Sequence, residues 1–148
     1  MPDREPLLIS ACLLGVRCRY DGGEQYLPAV AKLMERYALV AVCPEVLGDM
    51  PAPRTPAEIR GGRVVSIDGE DRTEKFRLGA ERALAMARGV GAKKALLKSH
   101  SPSCGKSLVY DGTFSGKLVP GSGRAAALLE ENGVKVFTEE EVSSLEQE

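Results

Sequence analysis

The chain has 148 residues, enough to enclose one substantial apolar core and too few for several, so one domain covering residues 1–148 is expected. Hydrophobic residues make up 43% and charged residues 28%, and 20 Lys and Arg against 21 Asp and Glu leave no basic excess for dedicated nucleic-acid binding. The longest apolar run, Leu7 to Leu14, is too short to span a bilayer, and the segment Met1 to Pro6 lacks the basic flank of a secretory signal, so a cytoplasmic protein is expected.

Leu7-Leu8-Ile9-Ser10 reads as a buried strand that runs into a turn at Ala11 to Gly15. Pro28 stands where a first helical turn begins, and Ala29, Val30, Leu33 and Tyr37 follow at helical spacing, which predicts a helix over roughly Pro28 to Arg36. Leu39 to Val42 is a second buried strand that stops at Cys43-Pro44-Glu45. The stretch from Gly48 to Gly62 contains Pro51, Pro53 and Pro56 and reads as a stiff loop, and Arg63 to Ile67 as a short strand or hairpin arm. Arg72 to Arg88 is the longest helical pattern, with Phe76, Gly79, Ala80, Ala83 and Ala87 on one face and Gly89 and Gly91 as its end. Ala95 to Lys98 is a third strand leading into Ser99-His100-Ser101-Pro102-Ser103-Cys104-Gly105. An Asp111-Gly112 turn follows, then a helix opened by Gly121-Ser122-Gly123 and closed at Gly133. Val134 to Phe137 is a fourth strand, and Thr138 with Glu141 forms a capping-box signature for a short last helix. Regular alternation of strand and helix predicts a three-layer α/β fold, Rossmann-like or flavodoxin-like, around a mainly parallel sheet of four to five strands.

The chain has four cysteines, and in a reducing compartment they are buried, catalytic or metal-bound rather than disulfide-linked. Taken singly, each reads as a small buried hydrophobe. Cys12, Cys43 and Cys104, however, each follow a predicted strand, in Gly- and Pro-containing loops at the carboxyl edge of one sheet, where ligands bind in such folds. A closed structural zinc site takes four ligands, commonly in close Cys pairs, and no pair here has that spacing; His100 is the remaining fourth-ligand candidate. Three thiolates suit an iron–sulfur cluster, and a four-iron cluster so held keeps one iron open as a Lewis acid for a soft sulfur atom.

Glu45 is either a proton-handling group beside the ligands or a solvated loop carboxylate, and residue types alone leave this open. Ser101 and Ser103 are likewise either partners of substrate and cluster or turn formers around Pro102. Lys93, Lys94, Lys98 and Lys106 read as a solvated face, or as the receiver of the phosphate of a larger thiolated nucleotide. Gly121-Ser122-Gly123 reads as a helix start or as an anion site at a helix N-terminus, without the lysine of a P-loop.

Four separated motifs together resemble one family. They are Cys12 to Gly22 (Cys-Leu-Leu-Gly-Val-Arg-Cys-Arg-Tyr-Asp-Gly), Cys43-Pro44-Glu45, Pro51 to Glu58 (Pro-Ala-Pro-Arg-Thr-Pro-Ala-Glu) and Ser101 to Gly105 (Ser-Pro-Ser-Cys-Gly). Tyr110 to Phe114 and Gly121 to Gly123 match as well, so the resemblance, to the thiouracil desulfidases, covers nearly the whole chain. It implies an oxygen-sensitive four-iron, four-sulfur cluster on Cys12, Cys43 and Cys104, with one iron open to the thiocarbonyl sulfur of a small thiolated substrate. It implies loss of that sulfur as sulfide, without net redox change, while water supplies oxygen. Glu45 matches the family's proton-handling carboxylate and Ser101 its assisting hydroxyl; Ser103 and Arg54 are the candidate substrate-binding residues. Cys18 lies inside the first motif and is not a ligand in the family pattern. Gly48-Asp49-Met50 stands where that pattern has a second glycine and a leucine.

Two other classes compete with the enzyme: a sulfur-relay protein that carries persulfide on a cysteine such as Cys18, and a non-catalytic metal-binding or redox-sensing module. The physiological substrate, the fate of the sulfide and the oligomeric state are not written in the sequence.

Overall fold

The computed structural model describes residues 4–23 and 26–146. In chain order it contains β1 (Glu5–Ser10), α1 (Val30–Arg36), β2 (Tyr37–Val42), α2 (Pro44–Leu47), β3 (Ala57–Arg60), β4 (Arg63–Ser66) and α3 (Thr73–Val90). These are followed by β5 (Lys94–Leu97), β6 (Leu108–Tyr110), β7 (Leu118–Pro120), α4 (Arg124–Glu131), β8 (Lys135–Thr138) and α5 (Val142–Glu146). Four strands form the main sheet in the order β2-β1-β5-β8, every pair parallel. The chain leaves β1 towards β2 on one side and returns through α3 to β5 on the other, so the order reverses between β1 and β5. The loops after these strands open into the crevice where ligands bind in such sheets.

Successive strand residues point to opposite faces, and this alternation divides the core in two. Leu7 and Ile9 of β1, Leu96 of β5 and Phe137 of β8 pack on one face with Val30 and Leu33 of α1 and Leu145 of α5. Leu8, Ala95, Leu97 and Val136 point the other way, against Leu84 and Ala87 of α3 and Ala126 and Leu129 of α4. The sheet thus has helices on both faces, as the alternating sequence pattern predicts. Among the described residues no helix is long and apolar enough to cross a membrane.

The helices end where the sequence places their stops, with two adjustments. α3 runs through Gly89 and stops at Gly91, which takes the left-handed conformation at φ 74°. The capping box forms, with Thr138 accepting from the Glu140 amide and Glu141 from the Thr138 amide, at a 3-10 turn that leads into α5.

The larger difference lies in two antiparallel hairpins, β3–β4 and β6–β7. In the first, β4 is the hairpin arm expected at Arg63 to Ile67, while β3 occupies the end of the segment read as a stiff loop. Arg60 pairs with Arg63 across Gly61-Gly62, both at positive φ (55° and 81°), which is the two-residue turn that hairpins favour. The three prolines upstream obscured this Gly-Gly signal. β6 and β7 are three residues each, too short for alternation to register in the sequence.

Candidate active site

Each cysteine is delivered by the end of a strand. Cys12 lies in the 3-10 turn Ala11–Leu14 that follows β1, Cys43 caps α2 directly after β2, and Cys104 sits in the loop after β5. All three line one cavity of about 420 Å³, and Cys18 lines it too. All four cysteines are free thiols; Cys43 is partly exposed and the other three are buried. Cys18 raises an expectation of its own, because its side chain meets both Cys12 and Cys43. Cys43 Sγ also points at the Cys18 carbonyl, 3.8 Å away.

Packing thiols together in a low-dielectric wall disfavours their ionised forms. The Cys43 thiol is pushed far up, first by its hydrogen bond with Cys18 and then by burial. Cys18 is raised chiefly by Cys12. Burial pushes Cys104 up to about 12, against the pull of hydrogen bonds from Ser10 and Ser103. Such thiols stay protonated until a cation replaces the protons, and a bound metal reverses that balance. Among the described residues no three His, Cys, Asp or Glu groups converge closely enough to close around a single metal ion. Thiolates that ligate separate irons of a cluster need not converge on one point, and cysteines lining a common cavity are compatible with that requirement.

Beside the thiols runs a chain of hydrogen bonds whose direction follows from donor and acceptor counts. Ser101 Oγ accepts the backbone amides of Cys104 at 2.7 Å and Ser103 at 3.2 Å. With both lone pairs engaged, its own proton points to Ser103 Oγ, 3.1 Å away. Ser103 Oγ in turn donates to Glu45 Oε2 at 3.0 Å. The other carboxylate oxygen, Oε1, receives Arg54 Nε at 3.0 Å and Nη2 at 2.9 Å. Arg54 Nη1 completes the cage by donating to the carbonyls of Cys18 at 3.0 Å and Pro51 at 2.8 Å. Arg54 therefore spends its donors on Glu45 and the two loops, and it lines the cavity as a paired cation.

Two close backbone approaches hold these groups in place. A Cβ on Gly79 of α3 would stand 1.9 Å from the Pro44 carbonyl oxygen, and one on Gly48 would stand 2.2 Å from that of Lys75. The small residues of α3 thus admit α2, the short helix that carries Glu45, as well as the sheet. Gly123 plays the same part for the serine loop, since a Cβ there would lie 2.5 Å from the Ser103 carbonyl carbon. The amides at the start of α4 are spent on that loop. Arg124 N donates to Pro102 O at 2.8 Å, Ala125 N to Ser103 O at 2.9 Å and Ala126 N to the same oxygen at 3.0 Å. Gly121-Ser122-Gly123 is therefore a helix start whose orphan donors secure the serine loop.

Three of the four lysines are paired with carboxylates rather than gathered, and Lys93 is exposed. Lys94 meets Glu5 at 3.3 Å, Lys98 meets Glu139 at 3.1 Å and Lys106 meets Glu141 at 3.2 Å. His100 sits in the cavity wall at φ 70°, with its ring edge against Tyr110 and its Nε2 3.7 Å from Glu140. Asp49 adopts φ 65°, which explains why a glycine suits that position, and pairs with Arg82 at 3.2 Å without lining the cavity. Sequence reasoning missed Ser10, which ends β1 and is 2% exposed. Its hydroxyl accepts the Lys98 amide at 2.9 Å and donates to Cys104 Sγ at 3.4 Å. The only sequence signal was a polar residue closing an apolar run.

A family model described as 2-thiouracil desulfurase matches residues 7–141. The chain belongs to this family. A curated relative, the uncharacterized protein YbbK of Bacillus subtilis (strain 168), is 42% identical over 149 residues, which cover 94% of this chain and 99% of that protein. The solved structure of the 4Fe-4S-dependent thiouracil desulfidase TudS aligns with a TM-score of 0.90 at 42% identity, covering 96% of this chain and 95% of that one. Within the family frame, the donor set found here suits a thiolate-held cluster. Three cysteines on separate strand ends line a common cavity, and the raised thiols of Cys43 and Cys104 favour ionisation only beside a cationic group.

Proposed function

We propose that this chain removes sulfur from a small thiolated pyrimidine such as thiouracil, giving the oxo form and sulfide. The observation that carries the reading is the convergence of Cys12, Cys43 and Cys104 on one cavity whose wall also holds the Ser101–Ser103–Glu45 chain. Cys12, Cys43 and Cys104 would hold a four-iron, four-sulfur cluster, which when bound supplies an open iron as Lewis acid and as acceptor for the departing sulfur. The overall change, thiocarbonyl plus water to carbonyl plus hydrogen sulfide, balances without electrons.

Glu45 then acts as the proton acceptor. Arg54 holds its Oε1, so proton traffic is confined to Oε2, which faces Ser103. A proton taken from water at Ser101 passes through Ser103 to Glu45, and the same path returns it to the ring nitrogen or the leaving sulfur. The two amides on Ser101 Oγ stabilise that oxygen while its proton is away.

The test is anaerobic purification followed by incubation with thiouracil. The account expects brown protein that releases sulfide and forms uracil. Colourless protein that releases no sulfide from thiouracil but takes sulfur onto Cys18 from an added persulfide donor indicates a sulfur relay. Brown protein inert towards thiolated bases indicates a sensing module.

A further inference from the structure

Two of the motifs in the sequence have no part in this chemistry, the Glu58 end of the proline-rich segment and the Tyr110 to Phe114 segment. The fold brings them together. Glu58 lies on β3 and is 8% exposed. Its Oε1 accepts the amides of Gly112 at 2.9 Å and Phe114 at 3.1 Å, both in the loop between β6 and β7. Arg60, two residues on, donates to the Gly112 carbonyl from Nε at 3.0 Å. The loop is thus held at Gly112 from both sides, and Phe114 is fixed in its left-handed conformation at φ 57°. Phe114 is half-buried, lines the cavity and belongs to none of the apolar core clusters, so its ring is not committed to the core.

The second oxygen of Glu58 is the informative one. Glu58 lines the same cavity as the three cysteines, and among the described residues its Oε2 meets no donor. An unengaged carboxylate oxygen on a side chain that lines the cavity is an acceptor that a donor on a bound ligand can fill. 2-Thiouracil carries a ring N–H on each side of its thiocarbonyl carbon, and its flat faces suit an aromatic wall.

We propose that Glu58 is a substrate-recognition residue: Oε1 fixes the loop that carries Phe114 beside the cavity, and Oε2 accepts a ring N–H of the thiolated heterocycle. The preferred substrate class is a flat heterocycle with an N–H next to the thiocarbonyl. The thiolated part of this inference rests on the desulfuration reading; the N–H recognition does not.

Glu58→Gln separates the two roles. The Gln carbonyl still accepts both loop amides, while its NH2 turns the cavity-facing acceptor into a donor. Anaerobic, cluster-loaded parent and variant are compared for iron content, melting temperature, kinetics with 2-thiouracil and calorimetric binding of uracil. E58Q is expected to keep the parent's iron content and melting temperature. KM for 2-thiouracil should rise, and uracil affinity fall, by about tenfold to a hundredfold, the loss falling on KM far more than on kcat. The parent's preference for 2-thiouracil over its 1,3-dimethyl derivative should shrink by the same factor. Glu58→Ala, which also frees the loop, should lose more. Unchanged KM and uracil affinity in E58Q would reduce Glu58 to a loop strut and overturn the proposal. So would a parent that binds uracil and 1,3-dimethyluracil equally, whatever the variants do, or a parent that binds no uracil. Glu58-dependent uracil binding without sulfide release would instead overturn the desulfuration reading and leave the recognition standing.

Discussion

Glu45 is held at both oxygens, by Arg54 on one side and Ser103 on the other, so changes at these three residues report on one path. Glu45→Gln should keep its iron and its absorption spectrum yet lose about a hundredfold to ten-thousandfold in sulfide release, the usual range for a positioned acid–base group. Ser103→Ala and Ser101→Ala interrupt the same path and should fall in the same direction, with water partly replacing a lost hydroxyl. Arg54→Ala leaves Glu45 unpaired in a largely buried setting and should destabilise the fold by about 3–5 kcal/mol as well as slow turnover, read by thermal unfolding beside kinetics. Parent-like turnover in Glu45→Gln would reduce Glu45 to a structural partner of Arg54. The convergence of Glu45, Ser101 and Ser103 beside the cysteines was legible in the sequence because each sits in a short motif next to one. The partnership of Arg54 with Glu45 was not, because it depends on how the 51–54 turn folds back over the Cys18 loop. Ser10 and Glu58 escaped for a related reason, since their partners lie at least 88 and at least 54 positions away.

Among the elements, glycines mark where the site is clamped. Gly123→Ala puts a methyl group against the Ser103 backbone, where no flexible side chain can yield. The serine loop or α4 must shift, at a cost of about 1–3 kcal/mol, and the expected result is a lowered melting temperature together with reduced iron retention. The start of α3 offers a pH-dependent check. Asp71 accepts the Thr73 amide at 2.9 Å and pairs with Arg63. Hydrogen bonds from Thr73, helped by Arg63, hold its carboxyl down at about 2. A depressed carboxyl stabilises the fold above the ordinary range near pH 4, and that contribution disappears as pH falls towards about 2. The stability gap between parent and Asp71→Asn should therefore be constant from neutral pH down to about 4 and close below it in thermal melts. A gap that persists unchanged at pH 2 contradicts this role. The sequence marked the helices well, because caps and glycine stops act locally. Of the hairpins, the arm at β4 was legible, whereas β3 was masked by the prolines before it and β6 and β7 are too short to show alternation.

For the molecule as a whole, parallel strands brought the strand-end loops to one edge, which is why cysteines 92 positions apart could be assigned to one site from the sequence. What periodicity did not reveal was Cys18, drawn into the same cavity by a loop without regular structure. Replacing Cys12, Cys43 or Cys104 by Ala should each abolish iron binding, whereas Cys18→Ala should largely keep it; equal iron loss from all four would make Cys18 a ligand. The central claim, water-dependent desulfuration without redox change, is tested most directly by one anaerobic incubation of cluster-loaded protein with thiouracil and no added reductant or oxidant, in which uracil and sulfide are both quantified. Equal amounts of the two, formed over many turnovers, are the result expected. A requirement for an added reductant or oxidant, or uracil formed with much less than an equal amount of sulfide, would contradict it.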